Sequence, residues 1–199
     1  MTRGAMQIKS LFENYTKLYP NEIDSLRLLS EQLDQSDDDI TSRKNFIGHM
    51  TVSAFVINEH IKQVLLLEHK SLAKLLQPGG HVEKNDESLL AATLREIEEE
   101  TGLKIADLNL RPISPRDREV PFDVDTHYIP ENPKKGEPGH YHHDFRYVYT
   151  TENNNVAIDP TESNNYRWVD WGQFAELPNF TKVADKIETI LEPNLRIRI

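Results

Sequence analysis

Three observations predict an α/β fold. Segments with period-two or continuous apolar patterning stand on both sides of one capped, amphipathic helix near residues 88–101. Further amphipathic helices open and close the chain. With 199 residues and no cysteine, the chain is long enough to bury a core without disulfides, and thiolate ligands and thiol nucleophiles are excluded.

Taken in order, Ile8, Leu11, Phe12, Tyr15 and Leu18 recur at helical spacing until Pro20. A second helix is expected from Asn21, with Ile23, Leu26, Leu29 and Leu33 as its apolar stripe. Those stripes need a cover, either the rest of the chain or a second copy in a homodimer. Asp34–Asn45 is polar, with three consecutive aspartates, and reads as a linker. Residues 1–45 are therefore a helical extension with its linker, and 46–199 the main domain. Within it, 49–57 and 63–69 should form a hairpin, the second strand buried through its Val-Leu-Leu-Leu run. Residues 75–80 lead to a glycine turn that lets backbone approach a ligand or ion closely. After the helix, a strand is expected over 104–110, a loop over 112–120 and a strand over 122–129. Residues 130–139, with three prolines and two glycines, form a mobile connection. Strands at 140–150 and 166–169 follow, then helices at 171–177 and 180–191.

The net charge of −10 disfavours non-specific binding to nucleic acid, which relies on lysine and arginine against phosphates. No stretch has the length of a membrane span, and the first residues lack the apolar core of a secretion signal, so a cytoplasmic location is expected.

Ser88 can cap the central helix and Gly102 can end it. At 100° per residue, Glu96, Glu99 and Glu100 share one third of the circumference, beside an arc of Leu90, Leu94, Ile97 and Thr101. Like charges one turn apart repel, and clustered carboxylates favour hard ions such as Mg²⁺. A solvated acidic face is the plain alternative. In 140–150, alternation puts His140, His142, Asp144 and Arg146 on one face, a set able to bind metal or phosphate or simply to face water.

The stretch PGGHVEKNDESLLAATLREIEEETGL resembles the signature of the Nudix hydrolases, with Glu87, Arg95, Glu96, Ile97, Glu99, Glu100, Gly102 and Leu103 in register. Six residues rather than five separate Gly80 from Glu87, one more than the pattern has. The resemblance implies an α/β/α sandwich around a mixed sheet, and Mg²⁺- or Mn²⁺-dependent hydrolysis of a diphosphate linkage in a small nucleoside diphosphate derivative or nucleotide. It makes Glu96, Glu99, Glu100, Glu87 and the Gly79 carbonyl metal-site candidates, with Arg95 orienting a motif carboxylate. Glu99 is the first candidate for general base and Glu162 the second. His81 and His127 join His140, His142, Asp144 and Arg146 as candidates for substrate contact, and Trp168 or Tyr141 could stack on a base. Two other readings are open to this fold. Isoprenoid diphosphate isomerisation needs a cysteine that this chain lacks, and non-catalytic nucleotide-binding modules tend to lose motif glutamates that are all kept here.

Overall fold

The computed structural model describes residues 3–35, 39–134 and 136–191, so part of the aspartate run and the last eight residues lie outside the described part. Two helices, α1 (Arg3–Leu18) and α2 (Arg27–Gln35), precede β1 (Gly48–Asn58). The order continues β2 (Gln63–His69), β3 (Lys74–Leu76), β4 (Gly79–His81), α3 (Leu89–Thr101), β5 (Asn109–Leu110), β6 (Asp123–Ile129), β7 (His140–Thr150), β8 (Ser163–Asp170), α4 (Trp171–Glu176) and α5 (Thr181–Leu191).

The sheet is mixed. Its centre is the parallel pair β1–β7, in register from Gly48↔Tyr141 to Ile57↔Thr150, and its other pairings are antiparallel. Every residue of β1 is buried, as expected for a strand covered on both faces. The β1–β2 hairpin pairs at Ile57↔Val64 and Asn58↔Gln63, and β4 pairs with the first half of β1. One face packs Met50, Val52, Ala54 and Val56 against α3 and the N-terminal helices. The other packs Phe55, Ile57, Val64 and Leu66 against α4 and α5. The result is the expected three-layer α/β/α sandwich.

Ile8, Leu11, Phe12, Tyr15, Leu26, Leu29 and Leu33 share one core cluster with Val52, Ile97 and Phe145. The N-terminal stripes are thus covered by the chain itself. Three local expectations change. Residues 20–26 form two 3₁₀ turns rather than the start of a helix, because Pro20 opens a tight turn and Ser25 Oγ bonds the Glu22 carbonyl at 2.7 Å. Ile23 is exposed in consequence, as is Leu18. Residues 105–107 are a 3₁₀ turn in place of most of the expected strand, since the Asp107 carboxylate accepts from Lys104 N at 3.1 Å and turns the chain locally. The 130–139 connection carries its own bridge, Asn132↔Glu137.

Candidate active site

Ser88 and Gly102 bound α3 as expected. Ser88 Oγ accepts from Ala91 N at 3.1 Å, and Gly102, at φ 69°, donates to the Glu98 carbonyl at 2.9 Å. The buried face differs from the expected one. It runs through Leu89, Ala92, Thr93, Glu96, Ile97, Glu100 and Thr101, with Leu90 and Leu94 only half-buried. Glu96 and Glu100 are therefore inside the contact with the sheet, at 9% and 6% exposure, while Glu99 is exposed.

The glycine turn makes this approach feasible. Gly79 N donates to Glu100 Oε2 at 2.8 Å. A Cβ on Gly80 would sit 2.5–2.6 Å from the Glu96 carboxylate, and one on Gly79 would strike the Val52 carbonyl. Only glycines let a strand and two carboxylates come this close.

Arg95 ties the cluster together. It donates from Nε and Nη2 to Asp86 at 3.0 and 2.9 Å, from Nη1 to Glu96 and Glu99 at 2.9 and 3.0 Å, and from Nη2 to the His81 carbonyl at 2.9 Å. The planar fork suits such convergent recognition. Asp86, which sequence reasoning passed over, is the loop carboxylate that anchors Arg95, whereas Glu87 is exposed beside it and is not brought into the cluster. The extra loop residue accounts for this: Asp86 is the residue that five others separate from Gly80, and the loop delivers it rather than Glu87.

Burial raises Glu96 above the ordinary 4.5 against the opposing pull of Arg95. Burial also raises Glu100 strongly, and Glu162 adds to this through a side-chain hydrogen bond and its charge. Glu162 comes from the loop before β8, which is fastened to the end of α3 by Ala157 N to Thr101 O at 2.8 Å and Asp159 N to Glu100 O at 3.4 Å. Both candidates for general base, Glu99 and Glu162, thus border the buried pair. Arg95 holds Asp86 below its usual range although burial opposes it.

The histidine-bearing strands also assemble, on a different surface. Register aligns His81 with Thr51, His49 with His142, Asp144 with Thr51 and Asp125, and His127 with His142. Neighbouring strand residues point to opposite faces, so Gly80 faces α3 and Glu96 while His81 faces away. The His81 side chain thus leaves the strand on the side of Thr51 and His49, while its carbonyl meets Arg95 of the carboxylate cluster. On their face, Arg146 donates from Nε to Asp144 at 2.9 Å, from Nη1 to Asp123 at 3.0 Å and from Nη2 to Asp125 at 2.8 Å. Asp144 also accepts from Ser53 Oγ at 2.7 Å. Both residues are committed to internal bonds. His142 is pushed down to about 2, by burial first and then by His81, His49, His127 and His140. His49, at the start of β1, was not singled out in the sequence, because only the parallel pairing sets it opposite His142. Trp168 packs partly against the α3-side core and Tyr141 rests edge-on to Tyr128.

Cavities of ≈ 440 Å³ beside Glu59, His60 and Arg111 and ≈ 370 Å³ beside Tyr19 and Ile190 include none of the motif carboxylates. Chemistry therefore outweighs concavity in locating the site.

A three-layer sandwich whose glycine turn cradles helix-borne carboxylates defines a metal-assisted phosphoanhydride hydrolase. The NUDIX domain model matches residues 48–189, and the chain belongs to that family and is a Nudix hydrolase. It is 32% identical over 132 residues, 63% of this chain and 68% of the relative, to a probable DHNTP pyrophosphohydrolase of Lactococcus lactis subsp. cremoris (strain MG1363). The fold resembles a NUDIX-family hydrolase from Clostridium perfringens (TM-score 0.54, 24% identity, 71% of this chain and 97% of that one). It also resembles the E. coli dihydroneopterin triphosphate pyrophosphohydrolase (TM-score 0.50, 18% identity, 70% and 92% covered). Nudix hydrolases work with divalent metal on small nucleotide-type substrates. No described helix is long and apolar enough to cross a membrane.

Proposed function

We propose that this chain is a Mg²⁺-dependent pyrophosphohydrolase, with Mn²⁺ as a substitute, acting on a triphosphate or a nucleoside diphosphate derivative. The observation that carries this is the burial of Glu96 and Glu100 side by side against the Gly79–Gly80 turn. Two buried carboxylates, both raised by burial and by neighbouring carboxylates, are a poor arrangement without a cation beyond Arg95. Their all-oxygen donor set, completed by Glu99 and the Gly79 carbonyl, fits Mg²⁺. The bound ion would neutralise diphosphate oxygens and acidify a water molecule.

The protein residues divide the remaining work. Arg95 orients Glu96 and Glu99, itself braced by Asp86. Glu162 is the better-supported general base, because Glu99 is already engaged by Arg95 and counted among the metal donors. The water proton passes to Glu162 as the water oxygen bonds to phosphorus, and the bridging oxygen leaves with the departing phosphate or pyrophosphate. Glu87, exposed on the turn, stays outside the donor set.

The named relative makes DHNTP the first substrate to test, followed by nucleoside triphosphates, dinucleoside polyphosphates and nucleoside diphosphate sugars. Product release should require Mg²⁺ or Mn²⁺. Glu162→Gln should lower kcat by about 10²- to 10⁴-fold with little change in the Mg²⁺ concentration needed. If Glu99→Gln shows that pattern and Glu162→Gln does not, the roles are reversed.

A further inference from the structure

The histidine face carries a site of its own. We propose that His49, His140 and His142 bind a borderline divalent transition ion such as Zn²⁺, separately from the glutamate site. Each offers one ring nitrogen, and the three atoms lie within 4.8 Å of one another.

The tautomers follow from the backbone. His49 Nδ1 lies 3.1 Å from the Asn45 carbonyl oxygen and His140 Nδ1 lies 2.8 Å from that of Pro138. A carbonyl can only accept, so both Nδ1 atoms carry the proton and both Nε2 atoms present a lone pair. His49 Nε2 is buried and has no hydrogen-bond partner. His140 Nε2 faces His142 Nε2 at 3.3 Å. Two Zn–N bonds of about 2.0–2.1 Å at a tetrahedral angle place their nitrogens about 3.3 Å apart. The observed spacing fits a shared ion as well as an N–H···N hydrogen bond, so the ion would take the place of one proton.

The buried His49 lone pair has no donor, which is costly, whereas His142 Nε2–H can donate to the His140 lone pair; a cation that replaces that proton satisfies all three nitrogens together. Imidazoles whose other nitrogen is held by a carbonyl form the usual supported ligand set. A set made only of nitrogen selects zinc, cobalt, nickel or copper over magnesium. Asp144 is excluded as a ligand because Ser53 and Arg146 already occupy it. Three protein ligands leave a fourth position for water or a small ligand. Since His49 and His140 are buried beside the Asn45–Phe46 segment, the ion would tie that segment, β1 and β7 together.

The test uses untagged, full-length protein freed of metal by chelation, then titrated with Co²⁺. Visible d–d absorption reports the coordination, competition with Zn²⁺ the affinity, and elemental analysis after gel filtration the stoichiometry. About one ion per chain should be retained by the wild type and equally by Glu100→Gln. His140→Gln and the less buried His142→Gln should each weaken binding by at least about 100-fold, beyond the ~10- to 100-fold typical of a merely supporting residue. Circular dichroism establishes that the variants remain folded. Absence of retained Co²⁺ in the wild type, unchanged affinity in both histidine variants, or loss of the ion in Glu100→Gln would overturn the proposal. None of these readouts depends on the hydrolase assignment.

Discussion

Replacing Gly80 with alanine tests whether the glycine turn exists to admit Glu96. The new Cβ would lie 2.5–2.6 Å from the carboxylate, whereas ordinary contact begins near 3.4 Å, so the carboxylate must retreat by about 0.8 Å. Glu96 is held on its other side by Arg95, which limits the directions open to it. A displacement approaching 1 Å at a positioned group can cost about 10²-fold in rate. The atoms that move are the end of one side chain, so stability should fall by only about 1 kcal/mol. The assay is kcat and its Mg²⁺ dependence, read beside the unfolding midpoint. Gly80→Ala should lose roughly 10²-fold in kcat while remaining folded. Adding Glu96→Asp, which withdraws the carboxylate by one methylene, should recover part of that loss, a coupling expected only of residues in contact. A Gly80→Ala enzyme with wild-type kcat and Mg²⁺ dependence would refute the reasoning.

Three further outcomes follow from other contacts. Asp86→Asn should cost about 2 kcal/mol in urea unfolding by weakening a charge-assisted pair with Arg95, while Glu87→Gln should stay within about 0.5 kcal/mol; equal effects would show that the loop is not arranged this way. Glu100 is raised above the ordinary 4.5 by burial, so over the window above that value the metal-free folded chain holds a proton that the unfolded chain has released. Stability must then fall as pH rises through that window, and Glu100→Gln should flatten the melting-temperature slope measured in chelator; an unchanged slope would mean that Glu100 is not the group responsible. Leu29→Ala, at a fully buried position, should cost about 2–5 kcal/mol if the N-terminal helices belong to the core, and a loss below about 1 kcal/mol would mean that they dock loosely.

How much was legible in the sequence depended on how local the cause was. The α3 caps, the β1–β2 hairpin and the carboxylate spacing rest on residues a few positions apart, and all appear in the structure. The alternation in β7 correctly grouped His140, His142, Asp144 and Arg146 on one face. Which layer that face belongs to depends on the parallel β1–β7 register, a pairing across some ninety residues that no local pattern encodes. The same long-range pairing adds His49 to the histidine face. The exchange of Glu87 for Asp86 has a different origin: motif matching counts positions, while the loop conformation decides which carboxylate meets Arg95. Burial of Glu100 was hidden because helical periodicity assigns glutamates to the wet face unless the partner surface, here two glycines, is taken into account.

The most direct measurement is product release by chelated enzyme resupplied with Mg²⁺, compared between wild type and Glu100→Gln across DHNTP and the nucleotide panel. The wild type should hydrolyse at least one of these only when the ion is restored, and Glu100→Gln should lose about 10²-fold or more while keeping its fold. Hydrolysis that survives chelation, or full activity in Glu100→Gln, would contradict the account.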